Sequence, residues 1–185
     1  MNNLYIVLLH YPVYNRSGDV VATSVANMDI HDISRVARTY GVKRFYIVTP
    51  IESQRDLASK IIRHWKYGYG SQYNEARKEA FRKTEIRSTL GEVVREVADS
   101  CGSRPRIVVT GARLSGDLIG FRQLGAKIAA EKEPFILVFG TGWGITEETV
   151  KKADYRLEPV KGPSDYNHLS VRCAAAVTLD RLLGR

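Results

Sequence analysis

The chain has 185 residues, 44% of them hydrophobic, and a formal net charge of +8 from 28 basic and 20 acidic side chains. That length suits one α/β domain spanning 1–185 with a full core, and that apolar share excludes a disordered chain. Two distant cysteines, Cys101 and Cys173, exclude a disulfide framework and a cysteine-based zinc site, and no apolar run approaches the ~18 residues of a membrane span.

The N-terminal "LYIVLL" (4–9) reads as a first strand rather than a signal peptide, because no basic region precedes it. The expected location is a reducing cytoplasm, with both cysteines as small buried apolar residues. "DIHDISRVARTYG" (29–41) places Ile30, Ile33, Val36, Ala37 and Tyr40 on one helical stripe, with Asp29 as N-cap and Gly41 as the stop. "RFYIVTP" (44–50) is a second strand. A helix follows over 53–68, capped by Ser53, with Leu57, Ile61 and Trp65 as its stripe. A short basic helix covers 74–83, and "TEIRS" (84–88) reads as an edge strand. The helix over 89–102 carries Leu90, Val93, Val94 and Val97 and ends at Gly102. "RIVVTG" (106–111) and "FILVFG" (135–140) are strands on either side of a helix expected over 116–132. A helix over 145–153 starts at Thr146, "YRLEPV" (155–160) is a short extended piece, and an Ala-rich helix fills 169–185.

Short continuous apolar runs are strands covered on both faces. Their alternation with helices predicts an α/β fold with a mostly parallel sheet and helices on both faces. In such sheets ligands gather outside the carboxyl ends of the strands. Two long loops, 10–28 and 158–168, start there, as does the glycine loop "GTGWG" (140–144).

The spacing G-x-G-x-G matches neither the dinucleotide fingerprint nor a P-loop, and no Lys stands inside it. Glu147 and Glu148 follow and compete with a phosphate for the positive end of the next helix. Phe139, Trp143 and Ile145 make the surroundings apolar, which suits an adenine or a ribose better than a pyrophosphate. The alternative is a tight turn that needs positive φ.

Three pieces together carry a family resemblance: "DISRVARTYGV" (32–42), the glycine loop, and "LEPVKGPSDYNHLSVRCAAAV" (157–177). Their order resembles the SPOUT, or α/β-knot, RNA methyltransferases, and specifically a small branch marked by "LLHYPVYN", "FGTGWG" and "SDYNHLSVR". The resemblance implies a deep trefoil knot in the C-terminal part, a homodimer, and S-adenosyl-L-methionine bound by backbone groups of three loops. By position these are Thr110, Gly111 and Ala112; Phe139, Gly140, Thr141, Gly142, Trp143 and Gly144; and Leu157, Pro159, Asn167, His168, Leu169 and Ser170. The chain departs from the best-known branch in two places. Its loop lacks the Asn-Glu-Gly element, and Ser170 and Arg172 stand where that branch has Asn and Ser.

The resemblance places Arg35 where the family's first-helix Arg falls, to hold a phosphate or activate the nucleophile. "NMDIHD" (27–32) gathers Asn27, Asp29, His31 and Asp32 at one helix start, where Asp29 can take a proton; a solvated cap is the other reading. His10 and Asn15 open the first long loop and join Asn27 and His31 as candidate substrate contacts. "RHWKYGYGSQY" (63–73) mixes Lys66 and other cations with aromatics, which suits stacking on unpaired bases, or else buries Trp65 in the core. With the basic charge, these features point to RNA, tRNA or rRNA, as partner. No metal ligand set stands out. The alternatives are an RNA-binding knot protein without catalysis and a Rossmann-type nucleotide-binding domain.

Overall fold

The computed structural model describes residues 3–184. β1 (Leu4–Leu9) lies at the centre of a six-stranded sheet. On one side it pairs with β4 (Arg44–Val48), which pairs with the edge strand β5 (Thr84–Arg87). On the other side follow β7 (Phe135–Gly140), β6 (Arg106–Val109) and β8 (Tyr155–Arg156). Every pairing in this sheet is parallel. A separate hairpin, β2 (Val13–Tyr14) and β3 (Val20–Val21), lies inside what reads from sequence as a plain loop.

Both faces of the sheet are buried, and β1 shows why its sequence is a continuous apolar run. Leu4, Ile6 and Leu8 join one core with the helices α1 (Asn27–Thr39), α2 (Glu52–Lys66), α4 (Glu75–Phe81), α6 (Phe121–Ala130) and α8 (Val171–Leu183). Tyr5, Val7 and Leu9 join the other core, covered by α5 (Leu90–Cys101) and by the segment around α7 (Glu147–Lys151). A short helix, α3 (Tyr69–Tyr73), joins α2 to α4.

Several boundaries differ from the sequence reading, and capping explains most of them. α1 starts at Asn27 behind Ala26, and α2 starts at Glu52 behind Ile51; neither cap residue makes a side-chain cap bond. Asp29 and Ser53 therefore sit inside the first turn and are not caps. Leu57 is exposed, and Ala58 and Ile62 make the buried stripe of α2 instead. The expected helix over 116–132 is confined to α6, because 111–120 forms a loop. Where a side chain does cap, the sequence reading fits better: Thr89 Oγ1 accepts from Glu92 N at 3.2 Å and Gly102 ends α5 with φ +69°. Cys101 is half-buried beside the Tyr5 hydroxyl at 3.3 Å, and Cys173 is exposed, so neither is the fully buried residue expected.

α8 returns across the sheet to pack against α1 and α6. At Gly125 of α6 a Cβ would stand 2.8 Å from the Leu182 carbonyl oxygen, so glycine is what lets the two helices approach. The segment before α8 lies against the β6–α6 loop. Ile119 and Leu157 form a parallel bridge, Glu158 N donates to Ile119 O at 3.0 Å, and Asn167 Nδ2 donates to Ala112 O at 3.4 Å.

Candidate functional site

A cavity of about 780 Å³ opens at the carboxyl ends of β6 and β7. Ligand sites commonly measure about 300–1,000 Å³. Three stretches wall it: Thr110–Leu114, Phe139–Ile145, and a stretch from Leu157–Val160 to Asn167–Val171. Tyr14, Thr23 and Ser24 from the hairpin region, Asp29 from α1, and Ala174 and Thr178 from α8 complete it. Phe139 and Leu157 are buried apolar walls, whereas Trp143 and Leu169 stay about half exposed at the mouth. The lining contains no lysine, and its one arginine is the exposed Arg113. Apart from Arg113 at the rim, the walls are thus neutral backbone, apolar and uncharged polar side chains and two carboxylates, Asp29 and Glu158. Such a donor set suits a flat heterocycle and an organic cation, and disfavours a phosphate.

The glycine loop owes its shape to the hairpin. Trp143 N donates to Tyr14 O at 2.8 Å, Tyr14 N donates to Gly144 O at 2.9 Å, and Glu147 N donates to the Tyr14 hydroxyl at 3.2 Å. Gly142 has φ +59°, and a Cβ there would stand 2.7 Å from the Tyr14 carbonyl oxygen. Gly144 has φ +114° with open space around it, so its backbone conformation alone demands glycine. A Cβ at Gly142 would strike the hairpin, so at that position glycine serves the protein's own packing rather than close ligand approach. The hairpin occupies the Trp143 amide, and among the described residues the Thr141 and Gly142 amides have no partner. Those two remain as donors for a ligand edge.

Behind this wall runs a chain of hydrogen bonds. The Thr141 hydroxyl donates to Leu9 O at 3.1 Å. Its proton is thereby committed, so the Thr23 hydroxyl, 2.5 Å away, donates to Thr141 Oγ1. The Thr23 proton is committed in turn, so His10 Nδ1, 2.9 Å away, carries the hydrogen and donates to Thr23 Oγ1. His10 is buried, its Nε2 has no partner among the described residues, and burial pulls its pKa from 6.5 down to about 4. The neutral ring thus anchors two hydroxyls that line the cavity. Asn15 closes the same hairpin from the outside: its Oδ1 accepts from Ser17 N at 2.8 Å and Asp19 N at 2.9 Å.

The third wall carries the charge. Ser170 caps α8, accepting from Cys173 N at 3.4 Å. Two residues on, Arg172 Nη1 donates to Asp29 Oδ1 at 3.2 Å, and Arg172 Nε lies 3.5 Å from Asp32 Oδ2. Asp29 is 8% exposed, so α8 holds an almost buried carboxylate of α1 at the cavity wall. Glu158 Oε1 accepts from Phe121 N at 2.7 Å and ties this wall to the start of α6.

A family model described as SAM-dependent RNA methyltransferase matches residues 3–184. The chain belongs to that family. It is 41% identical over 182 residues to a tRNA (guanine-N(1)-)-methyltransferase of Oleidesulfovibrio alaskensis, and equally to one of Nitratidesulfovibrio vulgaris. The match takes in 98% of this chain but only 42% of each relative, so the chain spans less than half their length. A chain of Aquifex aeolicus is 39% identical over 99% of this chain and 89% of its own length. Among solved structures, the Aquifex aeolicus TrmH/SpoU tRNA modifying enzyme overlays 99% of this chain and 75% of its own at TM-score 0.57 and 18% identity. The SpoU methyltransferase AviRb of Streptomyces viridochromogenes, solved with AdoMet, overlays 99% of this chain and 58% of its own at TM-score 0.59 and 15% identity. These overlays show the SPOUT fold.

Within this chain, every residue expected at the cofactor lines the cavity: Thr110–Ala112, Phe139–Gly144, Leu157, Pro159 and Asn167–Ser170. Asp29 joins them. The other expected residues lie elsewhere. Arg35 stands exposed on α1, outside the cavity lining, with no ion pair among the described residues. Asn27 is exposed at the start of α1. His10 is too buried to touch a substrate, and Asn15 is spent on the hairpin turn. Lys66 cannot offer a free ammonium, because its Nζ donates to Thr84 O at 2.9 Å and pairs with Glu85 at 3.3 Å. His31 packs edge-on against Trp65 and Phe81, with ring centroids 5.4 and 4.9 Å away. Burial, with Arg77 close by, lowers its pKa. Sequence reasoning missed Tyr14, Thr23 and Arg113 as lining residues. Tyr14 and Thr23 had no signal beyond lying in a long loop, because two-residue strands show no period.

Proposed function

We propose that this protein transfers a methyl group from S-adenosyl-L-methionine to RNA, with tRNA as the RNA class. The observation that carries the reading is the cavity walled by the loops after β6 and β7 and by the segment before α8. Its neutral walls, its two unpartnered loop amides and its two carboxylates fit an adenosyl group and a cationic sulfonium. Bound there, the cofactor would supply the methyl group, its carbon–sulfur bond breaking as the bond to the RNA nucleophile forms. The Thr141 and Gly142 amides would hold the heterocycle's edge, and Phe139 and Leu157 would exclude water from its faces. Asp29 accepts the proton that leaves a ribose hydroxyl or a ring nitrogen, and Arg172 fixes its carboxylate. Arg35 binds an RNA phosphate. Positioning supplies most of the rate, since the transfer needs no covalent help.

The tRNA class rests on the names of the two 41% identical relatives and of the Aquifex structure. Their guanine-N1 designation describes chains more than twice as long and is not carried over to the target atom. The trefoil knot is supported by the SPOUT neighbours and by the contacts of 157–167 with the β6–α6 loop. A homodimer is supported by Met28, Trp143, Tyr166 and Leu169, large side chains exposed on cavity-bordering segments. A cytoplasmic location goes with a tRNA substrate, and no described helix is long and apolar enough to cross a membrane.

Titration calorimetry with S-adenosylmethionine tests the reading. Binding at micromolar ligand is expected, and none at millimolar ligand overturns it. Transfer of labelled methyl to total tRNA from a strain lacking the protein, followed by nucleoside mapping, then names the nucleotide.

A further inference from the structure

The cavity does not account for three highly exposed tyrosines of one stretch. Tyr67, Tyr69 and Tyr73 are 79%, 72% and 77% exposed, and all three lie in the stretch that joins α2 to α4. Single exposed apolar residues need no explanation, but three within seven positions form a patch. Tyr69 and Tyr73 present stacked rings with centroids 6.2 Å apart and planes 23° apart. Neither makes a side-chain hydrogen bond among the described residues.

The same stretch holds much of the charge. Residues 60–83 contain seven Lys or Arg and two Glu, a surplus of five out of the net +8 of the whole chain. Lys60, Arg63, Lys78 and Lys83 have no ion pair among the described residues. Beneath them Trp65 is not free to stack on a base, because the Arg77 guanidinium lies 4.5 Å over its ring and His31 meets its edge. The exposed tyrosines, and not the tryptophan, are the available platforms.

The patch also has a place relative to the site. His31 belongs to α1, whose first turn brings Asp29 to the cavity wall. Arg35 lies one turn further along the His31 face and is close enough to act on that ring electrostatically. α1 therefore reaches from the cavity wall at Asp29 to the aromatic cluster of Trp65 and Phe81 at His31, and Arg35 lies on the same helix beside His31.

We propose that the face formed by Tyr67, Tyr69 and Tyr73 with Arg63, Lys78 and Arg35 docks a single-stranded segment of the RNA substrate, its unpaired bases stacking on the tyrosines. The proposal rests on the RNA methyltransferase reading and adds where, and in which form, the RNA is held. Stacking accepts any base, so this face contributes affinity and a preference for unpaired over duplex RNA, not sequence choice. The cations neutralise backbone phosphates and make the affinity fall with salt.

Fluorescence anisotropy of the full-length protein with a labelled oligouridine of about 16 nucleotides tests this, with an RNA duplex of equal length as comparison. Tyr69→Ala/Tyr73→Ala should weaken oligouridine binding about tenfold or more and leave duplex binding and S-adenosylmethionine affinity unchanged. Arg63→Gln/Lys78→Gln should lower the slope of log affinity against log salt by about 1.4. The unchanged cofactor affinity of the variants reports that they are folded. Equal oligouridine binding by wild type and the tyrosine variant, with tRNA methylation intact, overturns the docking face and leaves the methyltransferase reading standing. A tyrosine variant that turns from dimer to monomer in sedimentation also overturns it, since a second copy of the chain then covers the face. A wild type that binds S-adenosylmethionine but methylates no RNA removes the reading beneath it.

Discussion

His10 makes the stability of this protein depend on pH in a way that can be calculated and isolated. Its folded pKa of about 4 lies below its ordinary value of 6.5, so between those pH values the unfolded chain binds more protons. The stabilising contribution of the neutral ring is complete above pH 6.5 and is lost as the pH falls toward 4. Linkage gives a loss of about 1.4 kcal/mol at pH 5.5 and about 2.5 kcal/mol at pH 4.5. The perturbation that isolates it is His10→Asn, which keeps an N–H donor near Nδ1 but does not titrate. Urea unfolding followed by tryptophan fluorescence at pH 7.5, 5.5 and 4.5 measures both proteins. Other titrating groups act on both alike and cancel in the difference. The wild type should lose those amounts beyond the loss of the variant. Parallel profiles would refute the reasoning, because they would mean that His10 is either hydrated or protonated in the fold.

Three further outcomes are expected. Gly142→Ala forces a side chain into a positive-φ position 2.7 Å from the Tyr14 carbonyl, so it should cost about 2–4 kcal/mol in urea unfolding and weaken S-adenosylmethionine in calorimetry. Arg172→Ala leaves the nearly buried Asp29 without its cation and should cost about 1–2 kcal/mol, while Arg172→Lys restores part of it; equal stability of all three proteins counts against the ion pair. Arg35→Ala should leave the melting temperature and cofactor affinity unchanged and lower methyl transfer to tRNA, as read by kcat/KM; an equal loss of cofactor affinity assigns Arg35 a structural role.

What the sequence shows of this site follows from how local each signal is. "LYIVLL" and "FILVFG" announce strands because burial on both faces leaves no polar residue in them. "GTGWG" is legible because glycine spacing and the missing lysine are properties of a few adjacent residues. The carried-over cofactor residues meet in one cavity because the three loops follow strand ends and a helix start, which the motif order already encodes. The starts of α1 and α2 were illegible because Ala26 and Ile51 make no cap bond, so the nearest polar residues, Asp29 and Ser53, drew the assignment. The part played by His10 lies in a chain that joins positions 10, 23 and 141, and no local pattern marks it. Lys66 looked like a binding cation because sequence does not show that β5 puts Glu85 and the Thr84 carbonyl beside it.

The strand order has a kinetic consequence. The central strand β1 precedes its neighbours in the chain but pairs with β7, Leu4 opposite Phe135, and the last cavity wall belongs to α8. Closing such long loops costs chain entropy before any native contact repays it, which slows folding in proteins rich in non-local pairings. On the ribosome β1 and β4 can meet early, yet one edge of β1 stays unsatisfied until β7 emerges, and the binding cavity is complete only after α8. Cofactor binding is therefore a late event in the life of the nascent chain, and a chain cut short before α8 should hold much of the sheet and no site.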